Sequence, residues 1–160
     1  MSKKKFPLLT ISSAIEQPYN YSLGRHGGRL VQELRNHKRI VGTKCSKCGH
    51  VYVPPRQVCG KCFTTMDEFV EVSSRGNLDS FTVVYFTFID PETGKQRPVP
   101  YGYGRIKLDG ADSEFLHFLE ESDIKNLKVG MRVEAVFEEK RTGSFRDIKY
   151  FKTVTDRDPS

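Results

Sequence analysis

Two Cys-x-x-Cys pairs near the middle of the chain, five β-rich runs after them and one helical stretch before them predict a mainly β protein with an N-terminal helix. In that reading a four-cysteine zinc ribbon is followed by a five-stranded OB-fold barrel. The 160 residues suit one ordinary domain or two small ones sharing a core, which excludes a large multidomain catalyst. With 37% hydrophobic and 29% charged residues there is enough apolar material for a packed interior and too much for wholesale disorder.

Residues 1–18 read as an N-terminal arm of small and polar residues with a proline toward each end, Pro7 and Pro18. Its basic start lacks the apolar stretch of a secretory signal, and no run along the chain approaches the ~18 apolar residues of a membrane span, so a cytoplasmic protein without a membrane partner is expected. Residues 19–39 form the helical segment. Leu30, Val31 and Leu34 recur at helical spacing, while Gly24, Gly27 and Gly28 weaken the first turns and leave a loop or two short helices open there.

Residues 40–70 carry every cysteine of the chain, Cys45, Cys48, Cys59 and Cys62, with ten residues between the pairs. Two such knuckles can offer four thiolates tetrahedrally to Zn²⁺. Gly49 and Gly60 suit the tight turns by their tolerance of positive φ. Persistent disulfides are disfavoured in a cytoplasmic chain. A rubredoxin-type iron centre uses the same ligands but ordinarily with a wider gap between pairs. A zinc closed by four cysteines has no open position for water, so its role is to fold the segment. Val51 to Arg56 reads as a ribbon arm ended by Pro54 and Pro55.

Residues 71–154 turn to strand patterning: Leu78–Ile89, Val99–Leu108, Ser113–Leu119, Met131–Glu138 and Phe145–Val154. Asp90 to Lys95, Asp109-Gly110 and Arg141 to Ser144 read as turns, and Gly130 suits a bend into the fourth strand. The polar link Glu120–Leu127 lies where an OB-fold commonly holds a helix or loop between its third and fourth strands. Residues 155–160 form a C-terminal tail.

The ordered set resembles a known family. Leu30, Val31 and Leu34 precede Cys45, Cys48 and Gly49, then Pro54, Pro55 and Arg56, then Cys59 and Cys62. Gly76, Ser80 to Val84, Pro100 to Gly102 and Val129 to Val133 follow. The set is similar to the acyl-CoA-associated zinc-ribbon plus OB-fold proteins, long grouped as a domain of unknown function, over about residues 20 to 154. The Asp90–Gln96 loop is longer than the pattern leads one to expect. The resemblance implies a non-catalytic auxiliary subunit that docks on a thiolase or other condensing-enzyme chain and helps form or cover its CoA-thioester site. CoA or an acyl-CoA would be a ligand shared by the complex.

The residue chemistry agrees with that role. Acyl transfer by a thiolase needs a cysteine nucleophile, and every cysteine here belongs to the metal set, so no catalytic residue is assigned. His26, His37, His50 and His117 are read as surface or structural residues. CoA phosphates would call for Arg or Lys nearby. Arg25, Arg29, Arg35, Lys38, Arg39, Lys44 and Arg56 are the candidates for CoA binding or partner docking, with Tyr101 and Tyr103 available to stack on adenine or pack on a partner. The alternative from another class is a single-stranded nucleic-acid binder, with Phe81, Tyr85, Phe86, Phe88, Tyr101 and Tyr103 as its platform. Charge opposes it. The net +6 is split into +10 over residues 1–62 and −4 over residues 63–160, so the barrel would repel phosphates. Ordinary barrel core accounts for those aromatics without a ligand.

Overall fold

The first described element, helix α1 (Gly24–His37), buries Leu30, Val31 and Leu34 along one side, as the spacing predicts. The computed structural model describes residues 22–87, 89–90 and 94–154. The expected arm at 1–18, the start of the helical segment and the tail at 155–160 lie outside these residues, as does Phe88. The glycines do not break the helix into two. It ends where Lys38 turns left-handed (φ 56°) and the N–H groups of Lys38 and Arg39 close on the carbonyls of Leu34 and Glu33.

Three strands then build the ribbon: β1 (Ile40–Lys44), β2 (Val51–Tyr52) and β3 (Glu68–Val72), in the order β2-β1-β3. The five-residue pairing of β1 with β3, from Ile40↔Val72 to Lys44↔Glu68, holds a strand that the sequence pattern did not announce. Five further strands close a barrel: β4 (Arg75–Val84), β5 (Tyr101–Leu108), β6 (Phe115–Leu119), β7 (Arg132–Phe137) and β8 (Ile148–Thr153), in the order β4-β5-β6-β8-β7. The parallel contact Leu119↔Phe151 and the β4–β7 ladder complete the closure of this OB-fold. The polar link holds a 3₁₀ turn at Ile124–Asn126, capped by the Asp123 carboxylate, and Gly130 takes φ 86° at the entry to β7.

Two expectations change. The first barrel strand stops at Val84, where its partner β5 starts at Tyr101, so Tyr85, Phe86 and Ile89 leave the ladder and stand 64%, 70% and 64% exposed. Phe145 belongs to a 3₁₀ turn (Phe145–Asp147) ahead of β8, tied by the Thr142 and Gly143 N–H groups donating to the buried Asp147 carboxylate.

The main apolar core runs from Leu30 and Leu34 through Ile40, Val53 and Val72 into Leu78, Ile106, Val133 and Phe151, with a smaller cluster around the cysteines. The ribbon is therefore welded to the barrel. Polar bonds reinforce the seam: Val51 N–H donates to Asp112 at 2.9 Å, Val53 N–H to Ser113 Oγ at 2.7 Å, and Ser113 Oγ back to the Val53 carbonyl at 2.9 Å. No helix among the described residues is long and apolar enough to cross a membrane.

Candidate functional site

The two knuckles repeat one backbone device. Cys45 N–H donates to the His50 carbonyl and Gly49 N–H to the Cys45 carbonyl; Cys59 N–H donates to the Thr64 carbonyl and Phe63 N–H to the Cys59 carbonyl. Each knuckle thus turns back on its first cysteine and aims two sulfurs at a common point. The four sulfurs lie within 4.8 Å of one another, and Cys48 Sγ stands 3.7 Å from Cys59 Sγ. A tetrahedral zinc with Zn–S of ~2.3 Å has sulfur–sulfur edges of roughly 3.8 Å, so the residues fit the ion. Cys45 and Cys59 are buried beside Tyr52 and Met66, while Cys48 faces solvent.

The local polar groups prepare one of the thiols. Burial works against a Cys59 thiolate, but the N–H groups of Cys62 and Lys61 and the Tyr52 hydroxyl outweigh it and bring that thiol down to about 6. Cys62 is pushed up to about 12, chiefly by its hydrogen bond with Cys48. One ligand is therefore ready to receive a cation at neutral pH. Gly49 takes φ 74°, as its tight turn requires, but Gly60 does not; the left-handed residue of the second knuckle is Phe63 at φ 55°. Gly60 instead donates its N–H to Tyr52 Oη at 3.1 Å.

The basic candidates do not form one patch. Arg25 pairs with Asp67 at 3.0 Å, Arg29 with Glu33 at 2.8 Å and Arg39 with Glu71 at 3.3 Å. Arg25 and Arg29 line a hollow of 410 Å³ with Gln32 and Phe69. Arg35 donates to Asn36 and offers its carbonyl to Arg141, Lys38 caps α1, and Lys44 ends β1 exposed. Arg56, 5.2 Å from the Tyr52 ring centroid, lines a groove that the barrel shares.

This open groove of 750 Å³ lies between α1, the ribbon and β6, where Arg56, Tyr103, Leu116, Phe118 and Arg146 line the walls. The outward side chains of β4, β5 and β6 extend this surface. Tyr101 and Tyr103 set their edges against Phe118 at 5.7 and 5.1 Å, and the Arg97 guanidinium lies 3.7 Å from the Phe118 centroid. Sequence reasoning found both tyrosines but missed Phe118 and Arg97. Phe118 is brought opposite Tyr103 by the β5–β6 register, which the sequence does not display. The core explanation of the aromatics also fails for most of the described ones: among them only Phe81 packs against the interior, whereas Tyr85 and Phe86 are exposed and Tyr101 and Tyr103 are on the outer face.

The histidines agree with structural roles. His26 Nε2 bonds the Met66 carbonyl at 2.8 Å, His37 bonds Glu33 at 2.9 Å, and the His50 ring packs 4.6 Å from that of Tyr52. His117, 5% exposed, donates Nε2–H to the Ile148 carbonyl at 2.6 Å. Burial, with Arg97 nearby, holds its pKa below 6.5, against the opposing pull of that carbonyl. Its neutral form therefore stabilises the fold fully above 6.5. As pH falls below that value the unfolded chain takes a proton that the fold refuses, and stability drops until native His117 itself protonates. Melting curves from pH 7.5 to 5 should show that decline, and His117→Gln should flatten it; an identical slope in the variant would exclude His117 as its source.

The chain is similar to two family models, one after the other. Residues 33–67 match the rubredoxin-like zinc ribbon domain of ChsH2, and residues 69–138 match the ChsH2 C-terminal OB-fold domain. Among curated proteins it is similar to a DUF35 domain-containing scaffold protein of Methanocaldococcus jannaschii, 29% identical over 68% of this chain and 74% of that one. The corresponding scaffold protein of Pyrococcus furiosus is 28% identical over 68% of this chain and 75% of its own length. Among solved structures, a DUF35 protein of unknown function from Sulfolobus solfataricus superposes with a TM-score of 0.57 at 26% identity, covering 81% of this chain and 84% of that one. The Ltp2-ChsH2(DUF35) aldolase shares the fold, with a TM-score of 0.60 at 18% identity over 84% of this chain and 98% of the matched one.

Proposed function

We propose, from the premise that this chain belongs to the DUF35 family of ChsH2-type zinc-ribbon and OB-fold proteins, that it is a non-catalytic auxiliary subunit of a thiolase- or aldolase-type complex. The observation that carries this reading is the aromatic outer face of β4, β5 and β6, with Tyr101, Tyr103, Leu116 and Phe118, on a chain whose every cysteine serves the metal centre. Tyrosine and arginine are the side chains that protein interfaces favour, and this face combines them with uncovered apolar surface. The names of the relatives point the same way: three are called scaffold proteins and one is an aldolase complex.

In this reading the subunit docks on the catalytic chain and helps form or cover the site of its CoA thioester. The nucleophile belongs to the partner. Arg56, with Tyr101 and Tyr103 on the adjoining barrel face, supplies contacts to CoA phosphates and adenine, while Arg25, Arg29, Arg35, Lys38, Arg39 and Lys44, which lie apart from that groove, supply contacts to the partner surface. We extend the proposal to a small subunit resembling that of benzoylsuccinyl-CoA thiolase from anaerobic toluene breakdown, so an aromatic acyl-CoA is the first substrate to offer the assembly.

A tagged pull-down, with the intact assembly weighed by native mass spectrometry and zinc counted in the same sample, tests the reading. Recovery of a thiolase- or aldolase-type chain at fixed ratio, with turnover confined to the complex, is the expected result. A lone zinc-bound chain would overturn it. The outer face of the second and third barrel strands is also where OB-folds hold oligonucleotides. Nucleic acid released steeply by salt would replace the subunit reading with that one.

A further inference from the structure

Phe63 is the most exposed large apolar side chain among the described residues, at 82%, and it is held at φ 55° in the left-handed region that bulky L residues avoid. The two knuckles supply an internal comparison. Gly49 follows Cys48 at φ 74° with its N–H on the Cys45 carbonyl at 2.8 Å; Phe63 follows Cys62 with its N–H on the Cys59 carbonyl at 2.9 Å. The same backbone turn is met once by the residue that suits it and once by a phenylalanine that does not. Phe63 gains little in return from the chain itself, since nearly all of its ring faces water. Strain kept at an exposed aromatic is the pattern of a residue retained for what it contacts elsewhere.

Its surroundings describe that contact. Val58, 47% exposed, lies across the short hairpin closed by the Val58↔Thr65 bridge, on the arm leading into the same knuckle. From Lys44 to Met66 the chain holds Lys44, Lys47, Arg56 and Lys61 and no acidic residue, so the segment keeps a positive excess even beside four metal-bound thiolates. Lys47 and Lys61, at corresponding positions of the two knuckles, are both exposed.

We infer that Phe63 is an insertion anchor: the tip of the second knuckle seats it in an apolar, acid-rimmed socket on the catalytic partner chain, with Lys47 and Lys61 facing the rim. This rests on the auxiliary-subunit reading and adds to the barrel face a second attachment point on the metal ribbon. Anchors of this kind, an aromatic in a desolvated pocket inside a charged rim, carry a disproportionate share of interface affinity.

The decisive variant is Phe63→Gly, which should relieve the backbone while removing the ring. The probe is the thiolase- or aldolase-type chain recovered by the pull-down above, titrated with the zinc-loaded full-length protein. We expect zinc retained and a melting temperature no lower than that of the wild type, with Kd weakened about 30-fold or more, as loss of a hot-spot aromatic gives. Phe63→Leu should recover part of the affinity. Lys61→Glu should slow association more at low salt than at high salt. Binding by Phe63→Gly within about threefold of wild type overturns the anchor while leaving the subunit reading intact. Loss of zinc or a change in self-association in that variant also overturns it, by assigning Phe63 to the metal turn or to a second copy of the chain. A wild-type protein that binds no such catalytic chain overturns both.

Discussion

Replacing Cys48 by serine should release the metal and unfold the ribbon. Cys48 is exposed, so the substitution removes a ligand while disturbing little packing, and the result reports on coordination alone. The apolar cluster around the centre comprises only Cys45, Tyr52, Cys59 and Met66, with Cys62 against it. Such a cluster cannot hold two tight turns closed. Structural zinc sites contribute apparent binding energies of about 10 to 16 kcal/mol, comparable to the whole stability of an ordinary domain. The consequence should also reach the barrel, because Val51 and Val53 bond Asp112 and Ser113 and the apolar core is continuous across the seam. Zinc counting on the intact variant and amide exchange along the chain measure both effects. The expected outcome is stoichiometric loss of metal with residues 40–72 exchanging rapidly and the β5–β6 turn partly deprotected. Full zinc retention with unchanged exchange would falsify the ligand assignment.

What the sequence made legible and what it concealed divide along a physical line. Cysteine spacing is local chemistry, and the metal set could be read directly from Cys45 to Cys62. The barrel strands were visible through apolar periodicity, because each has one face in a common core. Strand β3 was not visible. Phe69, Val70 and Val72 do not alternate, and the strand exists because β1 pairs with all five of its residues. The end of β4 was concealed for the converse reason. The β-rich run through Ile89 satisfies local propensity, but among the described residues the ladder ends at Val84↔Tyr101 and Ile89 makes a single isolated bridge to Gln96. The same applies to the site. Arg97, Tyr101, Tyr103 and Phe118 converge only once β5 and β6 are in register. Phe63 did leave a signal, since a phenylalanine stands after the second Cys-x-x-Cys where a glycine stands after the first. Its meaning needed the backbone angle.

Phe151→Ala should cost the fold about 3 to 5 kcal/mol, the range for truncating a fully buried aromatic. Phe151 is 1% exposed in β8, opposite Leu119 on one side and Ala135 on the other, so it lies where the barrel closes. Its ring is 6.3 Å from that of Phe115 and meets His117 edge-on at 5.9 Å. Neither neighbour can swing into the space: Phe115 is in the core, and His117 is held by its bond to the Ile148 carbonyl. A cavity should therefore remain, and a loss this size is a large part of the 5 to 15 kcal/mol that domains ordinarily have. Urea unfolding at pH 7.5 would show it as a lower midpoint at an unchanged slope. Tyr85→Ala, at an exposed residue beyond the end of β4, should change the unfolding free energy by no more than about 0.5 kcal/mol. The cavity carries a second expectation, because water entering beside His117 would relieve the burial that depresses its pKa. The variant should thus lose less stability between pH 7.5 and 5 than the wild type. If Phe151→Ala unfolds at nearly the wild-type midpoint, the barrel closes on other contacts; if it is weakened but keeps the full acid slope, the acid sensitivity lies with a group other than His117.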